Sequence, residues 1–406
     1  MEQQNQSISK ANTLLGLQFL SDFGDQIIHA LLAVCLLDIT KSTGKVGFVY
    51  FITTAGYLLF TFVGGFIGDK LSRKNILFSS NMGKGMVVLL LILAVQEKSI
   101  MLIYATSFLL SILGSLNSPV RISIWAESIP SKLLERYNSL SELSVQASIV
   151  IGPLIASFFV VRELIGVGFA IDSLAFFMCA IIFSQVIANK SPEKAPKTGQ
   201  RSFLNGFRII KEQPELYRYV SYDAIQMIGF GAFNATFLVL AQRDFGWSKL
   251  DYSYHLSIAA GFTVLGALIG ATNFAARMNH VNKLIACGVI SAVSLWAAIR
   301  IQAFPMSSIL VGICNSLAVL TMAVTRTKVQ LFSKEFFPEN LSSIIASRAI
   351  IIKGATLFGT GACLLIDDFI SLENTLTLFI IPIALSIVPM FGRKAAVPAS
   401  VGVIDN

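Results

Sequence analysis

Apolar residues run through this chain in long blocks broken by short polar loops, and the blocks have the length of a bilayer. A helix needs about 20 mainly apolar residues to cross a hydrocarbon core. Blocks of that length fall at roughly 13–39, 46–68, 75–95, 100–120, 141–161 and 164–187, then 217–241, 252–275, 284–302, 305–325, 341–366 and 372–392. They are too long and too uniformly apolar for the alternating strands of a barrel. Gly and Pro inside them do not argue against helix, because neighbouring helices re-satisfy the backbone. The pattern predicts an all-α polytopic membrane protein with twelve transmembrane helices. The longest polar stretch, 188–216, splits them six and six. The expected organisation is a bundle over 1–187, a linker over 188–216, a second bundle over 217–392 and a tail over 393–406. Within the linker, Phe203, Leu204, Phe207 and Ile210 stand opposite Arg208 and Lys211. That spacing suits either a short amphipathic helix on the membrane surface or a solvated connector.

Composition removes the other classes. Of 406 residues, 54% are hydrophobic and 13% are charged, with mean hydropathy +0.72. A soluble domain carries about 25% charged residues. So little charge cannot cover a soluble surface, which excludes a soluble enzyme, a nucleic-acid binder and a disordered scaffold. The net charge of +8 reflects topology instead. With the N-terminus inside, the outer loops keep only Lys41, Lys45, Lys98, Arg162, Arg243, Lys249 and Arg300 of the 31 basic residues. Lys84, Arg348 and Lys353 lie within spans, and the rest gather on the inner side, so both termini are expected in the cytoplasm. The polar start MEQQNQSISKAN has no signal-peptide pattern, so the first apolar run is expected to remain in the mature protein. The cysteines all fall in apolar runs without metal or disulfide spacing.

The two halves echo each other. Arg121 in NSPVRISIW follows the fourth span and Arg326 in AVTRTKVQ follows the tenth, each leading into a basic loop with a proline. Internal repeats of this kind mark secondary transporters, with the substrate site between the halves.

The loop GGFIGDKLSRKNIL joins the second and third spans. Through Gly65, Gly68, Asp69, Lys70, Arg73 and Lys74 it resembles the loop signature of the major facilitator superfamily, with Ser72 where that family has glycine. The resemblance implies two pseudo-symmetric six-helix bundles and an aspartate, Asp69, that helps hold the inner end closed, with Arg121 as its candidate partner. SIVIGPLIAS in the fifth span resembles the Gly-Pro motif of the antiporter branch, through Gly152 and Pro153. QFLSDFGDQI, PSKLLERYNSL, FAIDSLAFF and SFLNGFRIIKEQPEL are similar to the macrolide-efflux and enterobactin-exporter group. That likeness implies export of a bulky amphipathic compound, an antibiotic or a siderophore, from a bacterial-type inner membrane. It further implies a monomer with no cofactor beyond the proton gradient, whose partners are the substrate, protons and the bilayer, with no nucleic acid.

Charges within a span are functional candidates, since burying them is costly. Gln18, Asp22, Asp25 and His29 fall within an arc of about 60° on the first helix, so all can face one polar cavity. Two carboxylates on adjacent turns suit proton binding, with His29 able to share the proton; structural pairing between helices is the competing reading. In the seventh span Tyr219, Tyr222, Asp223 and Gln226 continue as Phe230, Phe233, Asn234 and Phe237, an aromatic and polar stripe suited to a large amphipathic ligand or to a helix seam. Glu142 and Gln146 of the fifth span are further cavity candidates, and Glu142 and Asp223 are further candidates for proton coupling. Arg348 and Lys353 stand about 140° apart on the eleventh helix. Each suits either a carboxylate-bearing substrate or a pairing with Asp22, Asp25 or Asp223. Lys84 and Asp172 lie in spans that are peripheral in the family and are expected to pack. The competing functions are an uptake symporter of the same fold, a sensor that no longer transports and a polytopic membrane enzyme. The last would need a catalytic cluster at a membrane face, and the short loops hold none.

Overall fold

The computed structural model describes residues 2–40, 43–187, 204–272, 279–367 and 370–391. Residues 188–203 of the expected linker and the tail 393–406 lie outside them. Six long helices come first: α1 (Glu2–Thr40), α2 (Thr43–Lys70), α3 (Arg73–Gln96), α4 (Ile100–Ser128), α5 (Ser131–Val161) and α6 (Ile165–Val186). The short α7 (Asn205–Glu212) precedes α8 (Pro214–Val239), α9 (Lys249–Gly270), α10 (His280–Ile301), α11 (Met306–Phe336), α12 (Leu341–Asp367) and α13 (Leu372–Leu385).

Among the described residues, ten helices are long and apolar enough to cross a membrane, and α9 adds the shorter apolar stretch Tyr254–Gly270. The seventh expected span, α8, has 26 residues but a strongly polar first half. The apolar blocks mark only the middles of several helices. α4 runs past Arg121 to Ser128, α5 starts at Ser131 and α11 continues to Phe336. Hydropathy falls where a helix leaves the hydrocarbon, but its backbone hydrogen bonds do not stop there. Arg121, Arg326 and Glu135 are therefore helical rather than loop residues.

Lipid gives apolar helices no hydrophobic reason to associate, so close packing and polar contacts must hold them. In the first six helices the main pairings are α1 with α5 and α6, α2 with α4, and α3 with α4 and α6. The last six repeat them as α8 with α12 and α13, α9 with α11, and α10 with α11 and α13. The two sets meet chiefly through α2 against α12 and α5 against α9, contacts that the repeat exchanges with each other. The weak sequence echo thus corresponds to a full repeat of helix packing.

Small residues permit the α2–α12 approach. A Cβ on Gly65 would lie 2.5 Å from the Ala346 Cβ, and one on Gly68 would lie 2.9 Å from the Ser342 Cβ. A Cβ on Gly152 would lie 2.6 Å from the Gln26 Cβ, so that glycine seats α5 on α1. The linker helix α7 packs one face on the protein. Its buried Ile209 and Ile210 join a core cluster with Leu216, Tyr219 and Ile344, while Arg208 pairs with Glu212 on the exposed side. The face of this helix that carries Ile209 and Ile210 is covered by the protein itself.

Candidate functional site

Polar ties between the first six helices and the last seven cluster at one end of the molecule. Asp69, at the last turn of α2, accepts hydrogen bonds from the Ser342 and Ser343 backbone N–H groups, at 2.8 and 2.9 Å. These donors begin α12, whose first turn would otherwise leave them orphaned. A carboxylate there meets both the free N–H groups and the positive end of the helix dipole. Arg121 is not its partner, which corrects the sequence expectation. Arg73 pairs instead with Glu127, and Lys74, next in the chain, is half-buried.

The neighbouring helices add to this closure. Glu135 of α5 takes Lys283 at 2.5 Å and faces His280 at 3.5 Å. Asn138 donates to Thr327 Oγ1 at 2.8 Å and Gln330 Oε1 at 2.7 Å. Gln330 donates to the Ile122 carbonyl at 3.1 Å, and Lys334 to the Ala126 carbonyl at 2.8 Å. Glu142 is paired with Arg326 across the same seam. It is a structural tie rather than a cavity residue, another correction, and Gln146 is likewise not on the cavity wall.

Away from this closed end lies a cavity of about 670 Å³. Its wall takes Asp22, Asp25 and His29 from α1, Thr53, Thr54 and Tyr57 from α2, Lys84 from α3, Ser107, Ser111, Asn117 and Arg121 from α4, Pro153 from α5 and Lys353 from α12. Tyr57 stands twelve residues before Asp69 on one helix, about 18 Å along its axis. The cavity therefore occupies the half of the molecule that the polar ties leave unjoined.

Two ion pairs organise the wall. Lys84 Nζ binds both Asp25 oxygens, at 2.9 and 2.8 Å, and sits 4.8 Å from the centre of the Phe176 ring. Arg121 donates to Asp22 Oδ1 at 2.9 Å, leaving Asp22 Oδ2 and Arg121 Nε without hydrogen-bond partners. The Asp25 side chain is 35% exposed and that of Asp22 only 16%, so water in the cavity reaches Asp25 more readily. Lys353 holds its ammonium 3.6 Å from the centre of the Tyr57 ring.

Of the first-helix arc, Asp22, Asp25 and His29 line the cavity. Gln18 does not, because it is buried one turn nearer the closed end and donates to Ser141 Oγ at 2.6 Å. Lys84 was expected to pack at the periphery, and it instead supplies a cavity cation. The signal was available, since Lys84 is a charge inside a span. Asp172 is buried as expected, close to Gly24, with Oδ2 unpartnered.

The seventh-span stripe divides differently. Asp223 is fully buried, accepting from Arg348 at 2.6 Å and from Thr325 Oγ1 at 2.8 Å. Gln226 faces Thr321 at 3.3 Å, and Tyr222 donates to the Leu284 carbonyl at 3.0 Å. Tyr219 joins the core cluster beside α7. Phe230, Phe233 and Phe237 enter the core of the last six helices, with the last two rings stacked 4.6 Å apart. Asn234 is exposed and off the cavity wall. These residues form a helix seam and a buried polar network, not a ligand surface. Of the eleventh-span cations, Arg348 belongs to that network and only Lys353 reaches the cavity.

Comparison with known proteins agrees with this architecture. An uncharacterized MFS-type transporter, YfiS of Bacillus subtilis (strain 168), is 24% identical over 210 residues. That match spans 50% of this chain and only half the length of the relative. The human organic anion transporter MFSD10 superposes with a TM-score of 0.77 at 12% identity, covering 94% of this chain and 99% of that one. A bacterial homologue of the iron transporter ferroportin, in an outward-facing state, gives 0.75 at 15% identity over 94% and 98%. The fucose:proton symporter of E. coli gives 0.76 at 12% identity over 95% and 98%. At such identities the likeness is one of fold. The sequence itself matches the Major Facilitator Superfamily over residues 14–360. With that match covering most of its length, this chain belongs to the Major Facilitator Superfamily of membrane transporters and is not an enzyme.

Proposed function

We propose that the protein exports a bulky amphipathic small molecule, of the siderophore or antibiotic-like class, across a bacterial-type inner membrane by proton antiport. In this reading 1–187 and 217–392 are the moving units, both termini are cytoplasmic and the tied end is the cytoplasmic one. The cavity then faces outward, in the state in which cargo has left and a proton can enter. The observation that carries the reading is the Asp25–Lys84 pair, an ion pair inside a span that opens onto the cavity. A proton arriving on Asp25 releases Lys84, and each proton moving inward gains roughly 2.3 kcal/mol per 100 mV. The Gly152–Pro153 step supports export through its likeness to the antiporter branch.

The test is directional flux in proteoliposomes loaded with siderophore or antibiotic-like substrates. A proton gradient should drive substrate against the direction of proton flow. Substrate moving with the protons would establish the uptake symporter instead.

Asp69→Asn should leave the protein inserted and folded but slow the cycle. Losing the charge at the α12 N-terminus removes roughly 0.5–2 kcal/mol from the closed end. Transport rates in matched proteoliposomes read the effect, and equal rates for variant and parent would remove Asp69 from the mechanism.

A further inference from the structure

The charges on the cavity wall do not balance. The described wall carries three cations, Lys84, Arg121 and Lys353, against two carboxylates, Asp22 and Asp25. Both carboxylates are already taken, by Lys84 and Arg121. Lys353 has the Tyr57 ring beneath its ammonium and, among the described residues, no carboxylate beside it. His29 does not alter the sign of the imbalance, since it is either neutral or a further cation. Lys353 stands mid-way along α12, where it cannot reach a headgroup region as a lysine near a helix end does. Among the described residues it is also the only one that the last seven helices contribute to this wall.

We propose that the cavity takes organic anions, and that Lys353 is the residue that binds the anionic group. The cargo is then an amphipathic molecule with a carboxylate or equivalent single negative charge. The Tyr57 ring holds the ammonium in place, and Thr54, one turn away on the same wall, offers a hydroxyl to the same group. The apolar part of the cargo lies along Ile28, Leu32 and Leu110. This inference rests on the transporter reading above and names the chemistry of its cargo.

The placement of Lys353 also gives the anion a mechanical role. The rest of the wall belongs to the first six helices, so an anion bound to Lys353 bridges the two sets. Closing the outer end over an empty cavity would bury an uncompensated cation, which is costly. Closing it over a bound anion buries a neutralised pair. Cargo charge therefore favours the loaded closure over the empty one.

The experiment uses the full-length protein in detergent micelles with two fluorescent probes of nearly equal shape, dansylglycine and its neutral amide. The parent protein should bind the carboxylate about tenfold more tightly than the amide, the worth of one charge-assisted hydrogen bond. Lys353→Gln should abolish that preference with thermal unfolding unchanged, and Lys353→Arg should retain it. Equal affinity for the two probes, binding of neither, or a preference that survives Lys353→Gln would overturn the proposal. A clear anion preference without gradient-driven flux in proteoliposomes would support the anion site and count against proton-coupled export alone.

Discussion

Arg348→Met should destabilise the protein by about 3–5 kcal/mol, the usual cost of removing one partner from a buried ion pair. Asp223 on α8 is fully buried, and Arg348 on α12 is 9% exposed. Thr325 of α11 donates to the same carboxylate, so three helices of the second set meet at one charge. Without the guanidinium, that carboxylate has a single hydroxyl to answer its charge. Asp223→Leu combined with Arg348→Met should recover most of the loss, because removing both charges also removes their desolvation cost. Thermal unfolding in detergent measures both effects. A single variant as stable as the parent would mean that the network is hydrated and contributes little.

The second large effect concerns transport. Asp25→Asn holds the cavity in a form resembling its protonated state while preserving its shape. Gradient-driven export should fall to background, and exchange of substrate for substrate should continue. Asp22→Asn should act differently. Asp22 lies one turn nearer the closed end and is less exposed, and its partner Arg121 has a nitrogen already unpartnered. Its loss should lower thermal stability more than it alters coupling. Two measurements on each variant, unfolding temperature and gradient-driven flux, separate the roles. Export that persists in Asp25→Asn would move the proton site elsewhere, with the buried Asp172 the next carboxylate to test.

These expectations differ from those suggested by local sequence patterns. Four polar residues on one arc of the first helix suggested one cavity face, and three of them share it. Gln18 departs because Ser141 of α5 crosses α1 at that turn, a contact between residues 123 apart in the chain. The aromatic stripe of α8 has the periodicity of a ligand surface, but a helix seam has the same periodicity. Only the positions of α12 and α13 decide between the two.

Hydropathy by itself determined that the chain is a helical membrane protein and marked the apolar middles of its long helices. Each of these follows from the cost of placing successive side chains and backbone groups in hydrocarbon, which is local and additive along the chain. The loop around Asp69 likewise identified the family, because glycines at fixed spacing and a carboxylate at a helix end are a local pattern. Tertiary structure alone decided which charge meets which. Asp22 finds Arg121 at a separation of 99 residues, Asp25 finds Lys84 at 59, and Asp69 finds the start of α12 at 273. An ion pair depends on distances of a few ångströms between helices, and no local property of either helix encodes that distance. Lys84 and Lys353 look alike as single cations within apolar runs. Packing gives one of them a carboxylate and leaves the other facing an open cavity.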